Sequence, residues 1–294
     1  MPDDSSQALL RQALGRASLE RARARRAAGI GERHERQADV GSAAQRTLHL
    51  RMAGTHRKVA ARHDAAAAMH SAFAARLVAM LGDSAPLSPT ALFMTAVAGV
   101  AKARGAALTL FGTAFEELLC AVSDERTKAV QDLEFVCGEG PTLTSAVEGR
   151  MVAATDAELD TDWPAFGSAA TGLGVHRLVA VPVVLPGSAS GTLTVLDPPV
   201  VGGATDLPGL RELADALFHL VLPDVRREMG DWSQLVDAGR RSLVNQATGV
   251  IAEQLGCGLE DASALLRARA YASGESLDEL AGAVVGRRTR FERP

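Results

Sequence analysis

A chain of 294 residues with 47% apolar side chains can bury a sizeable core, or two, which excludes a disordered protein. The net charge of -4 hides a change of sign along the chain. Lys plus Arg against Asp plus Glu run 14 to 7 over residues 1–82, 9 to 20 over 83–232 and 8 to 8 over 233–294, so a basic arm precedes an acidic middle and a neutral end. Such an arm suits an anionic partner or its own acidic neighbour.

The three cysteines, Cys120, Cys137 and Cys257, stand at no zinc-ligand or redox-motif spacing, so neither a metal knuckle nor a disulfide framework is expected and a reduced cytoplasm fits. MPDDSSQ is polar and acidic where a signal peptide is basic and then apolar. No apolar run nears the roughly 20 residues that span a bilayer, so a soluble protein without a membrane partner is expected.

From Ser18 to Leu81 the chain is rich in Ala and Arg and free of proline, as expected of a long helix or a pair of helices. His49, His56, His63 and His70 recur every seventh residue. Seven residues of helix advance about 10.5 Å, whereas metal–nitrogen bonds are about 2 Å, so successive members of this row cannot share one ion. With histidine at heptad position a, Met52, Val59, Ala66, Phe73 and Met80 fall at d, and the alanines Ala53, Ala60, Ala67 and Ala74 at e. The expected role is a coiled-coil seam between two copies of the chain, carried by His49, Met52, His56, Val59, His63, His70 and Phe73.

GDSAPLSP (82–89) stops the helix. ALFMTAVAGVAKARG then reads as a helix ending at Gly105, AALTLF and ELLCAVS as short strands, and RTKAVQDLEFV as a helix. LVAVPVVL (178–185) and GTLTVLD (191–197) read as a hairpin in which Pro182 asks for an edge or a bulge. Helices and strands mix without βαβ alternation, which predicts α+β with an antiparallel sheet. Helical periodicity returns over 207–222. The last sixty residues read as three short helices. The first runs from about Ser233 to Leu255 with Val244, Ala247, Ile251 and Leu255 on one face, the second opens after Gly258, and the third starts on the capping box Ser276 to Glu279.

That last region resembles the ANTAR domain, a three-helix RNA-binding module of antitermination regulators. The likeness rests on Gln246-Ala247, Gly249-Val250-Ile251, Glu260-Asp261-Ala262, Leu265-Leu266-Arg267 and the Leu277, Leu280, Ala281, Val284, Val285 stripe. It implies a core of Ala247, Gly249, Ile251, Leu266, Leu277, Leu280 and Ala281, and stem-loops of leader RNA as the partner. The sequence departs from the pattern at Thr248, where a lysine is common, and at Gly274-Glu275-Ser276, where Asn and two basic residues often stand. The positive charges that remain for phosphate are Arg240, Arg241, Arg267, Arg269, Arg287 and Arg288, with Arg290 beyond them. Tyr271 offers either a base-stacking ring or part of the small core, and the core is favoured.

CGEGPTLTSAVEGRMVAATD, the Trp163-Pro164 helix start and the VAVPV to GTLTV hairpin resemble a GAF sensor domain. That likeness implies a small-molecule pocket on one face of the sheet, with no cofactor specified and the ligand unknown. GEGP lacks the Gly-Lys-Ser/Thr of a phosphate loop. The run Asp156, Glu158, Asp160, Asp162 reads as a solvated loop rather than a calcium site, His176 has no supporting metal ligands, and Cys120 and Cys137 read as packing residues rather than redox thiolates.

The expected architecture is therefore multidomain, α and α+β: a helical coiled-coil region at 1–82, a GAF-like sensor at 83–228 and an ANTAR-like bundle at 233–290. No catalytic set is visible. The expected function is a dimeric, cytoplasmic, signal-responsive RNA-binding regulator of antitermination. The alternative is a protein-interaction scaffold whose ANTAR-like bundle binds little RNA.

Overall fold

The computed structural model describes residues 4–80, 88–112, 117–184, 190–223 and 239–292. Most of the predicted stop at 82–89 and the start of the last helical region at Ser233 lie outside them. The chain forms two compact units, Met1–Arg104 with Pro199–Glu228, and Gly105–Pro198 with Met229–Pro294. These boundaries do not coincide with the division at 82/83 and 228 read from the sequence.

In the first unit α1 (Asp4–Val40) and α2 (Ala43–Met80) turn at Gly41-Ser42 and pack antiparallel. The buried positions of α1 are Ala13, Ala17, Glu20, Ala24, Ala27, Gly31 and Ala38, a four- and three-residue alternation that keeps one narrow stripe on its partner. From α2 the facing row is His49, Ala53, His56, Ala60, His63 and Ala67. His34 of α1 stands with Nδ1 3.0 Å from Nδ1 of His49 and its ring stacked on His56 at 5.8 Å between centroids. His63 Nδ1 meets Oε2 of the buried Glu20 at 2.5 Å, and Arg23 takes the other oxygen of that carboxylate at 2.6 Å.

The histidine row is thus one edge of a seam inside the chain, paired with the alanines at e rather than with the residues at d. Met52 and Val59 are exposed, at 38% and 36%. The physical reason is size: Ala and Gly on both helices let the backbones approach, and Met or Val at the contact would hold them apart. The d row becomes buried only further along α2, where Phe73 meets Phe93 of α3 (Pro89–Val100) edge-on at 5.5 Å. The unit also holds a two-stranded hairpin, Val200–Val201 with Ala204–Thr205, then α8 (Leu207–Ala216), bound through Asp215 to Arg62 of α2 at 3.0 Å, and the π-helical turn Leu217–Val221 that follows it.

In the second unit five strands form an antiparallel sheet in the order β2-β1-β5-β4-β3: β1 (Gly105–Phe111), β2 (Glu117–Val122), β3 (Val152–Thr155), β4 (Arg177–Val184) and β5 (Ser190–Leu196). The predicted hairpin is β4–β5, with Pro182 opposite Thr192. Pro182 is tolerated because β3 pairs with β4 only as far as Ala180, so that side of the strand is an edge where the proline sits.

Four helices lie on this unit: α4 (Glu125–Cys137), α5 (Pro141–Glu148), α6 (Asp156–Asp162) and α7 (Pro164–Gly172). Trp163, Phe166, Leu159 and Val130 pack on Leu178, Ala180 and Leu196 to form an apolar core. The acidic run expected as a loop is α6, opened by a capping box of Thr155 and Glu158, and its first-turn carboxylates suit the positive end of the helix dipole.

The hairpin yields one test. Ala60→Leu places a larger side chain where α2 meets α1, and should lower stability by about 1–3 kcal/mol, read as a lower denaturant midpoint of the full chain. An unchanged midpoint would mean that the helices do not touch at Ala60.

Candidate nucleic-acid interface

The C-terminal residues of the second unit fold as α9 (Gly239–Leu255), α10 (Leu259–Ser273) and α11 (Leu277–Val285). Each helix is short and gains its stability from one apolar stripe. Val244, Ala247, Ile251, Leu255, Ala262, Leu266, Ala270, Leu277, Leu280, Ala281 and Val284 interlock as one core. The stops are built locally: Gly256 and Gly274 take φ of 61° and 67°, which glycine adopts without steric cost, and Ser276 caps α11 by accepting the Glu279 N–H at 3.2 Å.

Of the seven core positions inferred from sequence, Ala247, Ile251, Leu266, Leu277, Leu280 and Ala281 are in this core. Gly249 is not: it lies on the exposed side of α9, where an added Cβ would meet nothing within 4 Å. Tyr271 is 65% exposed and takes no part in the core that was favoured for it. Thr248 is buried and donates its hydroxyl to the Val244 carbonyl at 2.8 Å, so the position that lacks a lysine is also turned away from solvent.

The arginines divide into groups. The backbones of Arg240 and Arg241 belong to α9, while their side chains lie outside the described residues. Arg269 lies 4.9 Å from the Phe291 ring centre and donates to the Arg290 carbonyl at 3.0 Å, tying α10 to the segment after α11. Arg287 and Arg288 are exposed just past α11, as is Arg290. Arg267 turns to α4: its guanidinium carbon sits 5.7 Å from the Phe135 ring centre, within reach of a cation–π contact.

Helix α4 is the seat of the bundle. Phe135 and Val136 pack against the three-helix core, and Lys128 reaches Asp278 of α11 at 3.5 Å while also pairing with Asp132. The opposite face of α4 looks onto the sheet. There Gln131 accepts the Thr109 hydroxyl at 3.0 Å and Glu134 accepts the Leu143 N–H at 2.9 Å. This carboxyl occupies the N-terminus of α5, whose own N-cap, Gly140, has no side chain to offer. A Cβ on Gly140 would collide with Glu134, and the residue has φ 156°, so glycine is required twice over. The GEGP turn is therefore closed by a carboxyl from its own chain, in the place where a phosphate loop would hold its anion.

Burial pushes the Glu134 carboxyl up to about 7, with Glu117 adding repulsion against the opposing hydrogen bonds from Thr142 and Leu143. Nothing in the local sequence marks Glu134, because its partners come from the next helix. Burial, then the charges of Glu139 and Glu134, also raise the Cys137 thiol, which favours packing over thiolate chemistry. His176 is exposed beside Asp156, 3.1 Å away, and no group of metal-ligating side chains forms among the described residues.

A carboxyl whose pKa is raised on folding contributes stability that is complete below its unfolded value and lost as pH rises to the folded one. Wild type should lose up to about 3 kcal/mol between pH 4.5 and about 7 through Glu134. Glu134→Gln keeps the acceptor for Leu143 and should be relatively stabilised as pH rises from 5 to 8. Thermal melts across that range check this, and parallel curves for the two proteins would refute it.

With this geometry in hand, residues 238–285 match the ANTAR domain, known as an RNA-binding output domain of antitermination. No curated protein matches the chain. Among solved structures, SdiA in complex with octanoyl-rac-glycerol is similar at 14% identity over 75% of this chain and 98% of that one, with a TM-score of 0.39. Escherichia coli SdiA in the space group P6522 is similar at 15% identity over 73% and 98%, with a TM-score of 0.38. The C-terminal bundle is thus similar to an RNA-binding regulatory domain, and no helix among the described residues is long and apolar enough to cross a membrane.

Proposed function

We propose that this chain is a signal-responsive regulator of transcription antitermination in the cytoplasm, in which a GAF-like sensor governs an ANTAR-like module that binds stem-loops in leader RNA. The single observation that carries this is the closed three-helix core that falls within the residues matching the ANTAR domain. The antiparallel sheet, with helices packed on the face of Leu178, Ala180 and Leu196, supports the sensor half.

Arg287 and Arg288, exposed and adjacent, suit phosphate binding. Arg240 and Arg241 complete the basic set. Arg267 is engaged on α4 and becomes available to RNA only if the bundle shifts there, which makes α4 the route by which the sensor acts on the output. The regulator acts as a homodimer in this proposal. Leu48, Met52 and Val59 leave exposed apolar surface on α2 that a second copy would cover, and a protein that sediments as a monomer at micromolar concentration removes the dimer from the account.

Two observations favour the scaffold alternative: Arg267 is already engaged within the chain, and Thr248 carries no charge. Gel-shift titration of the full chain with a paired stem-loop RNA separates the two. Binding should weaken steeply between roughly 50 and 200 mM salt, and Arg287→Ala with Arg288→Ala should lower the log–log salt slope by about one for each phosphate no longer neutralised. No binding even at the lower salt would overturn the regulator and leave the scaffold.

A further inference from the structure

The face of the sheet under α4 and α5 is apolar at its β3 and β4 side and polar at its β1 and β5 side. Strand register sets the polar part in rows. Thr109 stands opposite both Cys120 and Thr192, and Phe111 opposite Ser190, so these side chains share the face from which Thr109 reaches Gln131 of α4, while Glu117 meets Phe111 across a shift of register. At the end nearer Gly105 the polar atoms are paired: the Thr142 and Thr194 hydroxyls meet at 2.9 Å, and Ser145 donates to the Arg150 and Ala180 carbonyls. Toward Ser190 they are not. The second carboxyl oxygen of Glu134 and the hydroxyls of Thr192 and Ser190 are buried without a hydrogen-bond partner. Thr192 is fully buried and Glu134 nearly so. An orphan of this kind gives up its hydration for nothing in return, and native interiors pair almost all of them.

Charge narrows what could pair them. Residues 105–198 contain four Lys or Arg side chains, and all are committed elsewhere: Arg126 to Asp197, Lys128 to Asp132 and Asp278, Arg150 to Glu148, and Arg177 to the Pro198 carbonyl. Among the described residues the polar side chains of this face are hydroxyls, the Gln131 amide and carboxyls, of which Glu134 and Glu117 are close enough to repel. Arg267, the cation that α10 brings to α4, lies over Phe135 on the outer face, so among the described residues an anionic ligand finds no counter-charge here. A cation finds the Glu134 carboxyl.

We propose that this face binds a small organic cation rich in N–H donors, an alkylamine or a guanidine, held between the Glu134 carboxyl and the hydroxyls of Thr192 and Ser190. The proposal rests on reading the sheet as a sensor and names the class of its ligand. It also gives α4 its signal: the cation touches Glu134 on one face of the helix, and the bundle rests on Phe135 and Val136 on the other. Because burial holds Glu134 largely protonated below about pH 7, a cation that needs the carboxylate must displace its proton to solvent.

The test uses the full chain with n-butylamine and methylguanidine as probes, and butyrate and butanol as the matched anion and neutral, read by ligand-observed NMR at pH 6 and pH 8. Probes of this size bind with Kd on the order of 1–10 mM. The expected result is binding by one or both cations, about tenfold tighter at pH 8 than at pH 6 because the ionised fraction of a group titrating near 7 rises by that factor. Thr192→Val should weaken binding several-fold, and Glu134→Gln should remove its pH dependence. Binding of butyrate or butanol as strong as that of the cations overturns the ligand class. No cation binding at either pH by a folded protein overturns the site, leaving the orphaned atoms to water. RNA plays no part in this measurement, so failure here leaves the proposed function standing, and a chain that binds amines but no RNA loses only the latter.

Discussion

The seating of the Glu134 carboxyl on the N-terminus of α5 is the constraint on which the second unit depends. It turns the chain sharply at Gly138 and Gly140, sets α5 against the sheet, and fixes the rotation of α4 about its own axis. With Glu134 and Gln131 turned inward, Lys128, Phe135 and Val136 are left to meet the three-helix bundle. The same arrangement carries a cost. A carboxyl is held in an interior where its charge is disfavoured, and one of its oxygens has no partner. Such a compromise persists where a local conflict serves a site.

A helix with both faces engaged can transmit what happens at either one. The inner face of α4 meets the polar rows of the sheet and the outer face supports the residues that match an RNA-binding domain, so the two are separated by one helix diameter, about 10 Å. Arg267 makes the link specific, since its guanidinium lies over Phe135 and beside Gly138 at the start of the GEGP turn. A shift of that turn changes the surroundings of a charge that RNA binding would use.

Much of this organisation was legible in the sequence because it is written in local periodicity and punctuation. The three C-terminal stripes, the Ser276 capping box and the β4–β5 hairpin each depend on residues a few positions apart. Where long-range packing decides, sequence reasoning went astray. The histidine heptads were visible, but the partner row was not: a/d and a/e stripes differ by one residue, and only the small side chains of α1 select the alanines. Tyr271 and Gly249 sit outside the core because the turn of each helix carries them off the face that buries Ala270 and Ala247. Glu134 was legible only as an acidic neighbour of Cys137, since its role is defined by a helix that begins seven residues later.

The central claim is that RNA is met by the C-terminal bundle and not by the basic helical hairpin, whose arginines far outnumber its acids. Ultraviolet crosslinking of the full chain to a stem-loop RNA, with the linked peptides identified by mass spectrometry, addresses it directly. The account predicts links within residues 239–292, centred on the ends of α9 and α11. Links confined to α1 and α2 at saturating RNA would contradict it.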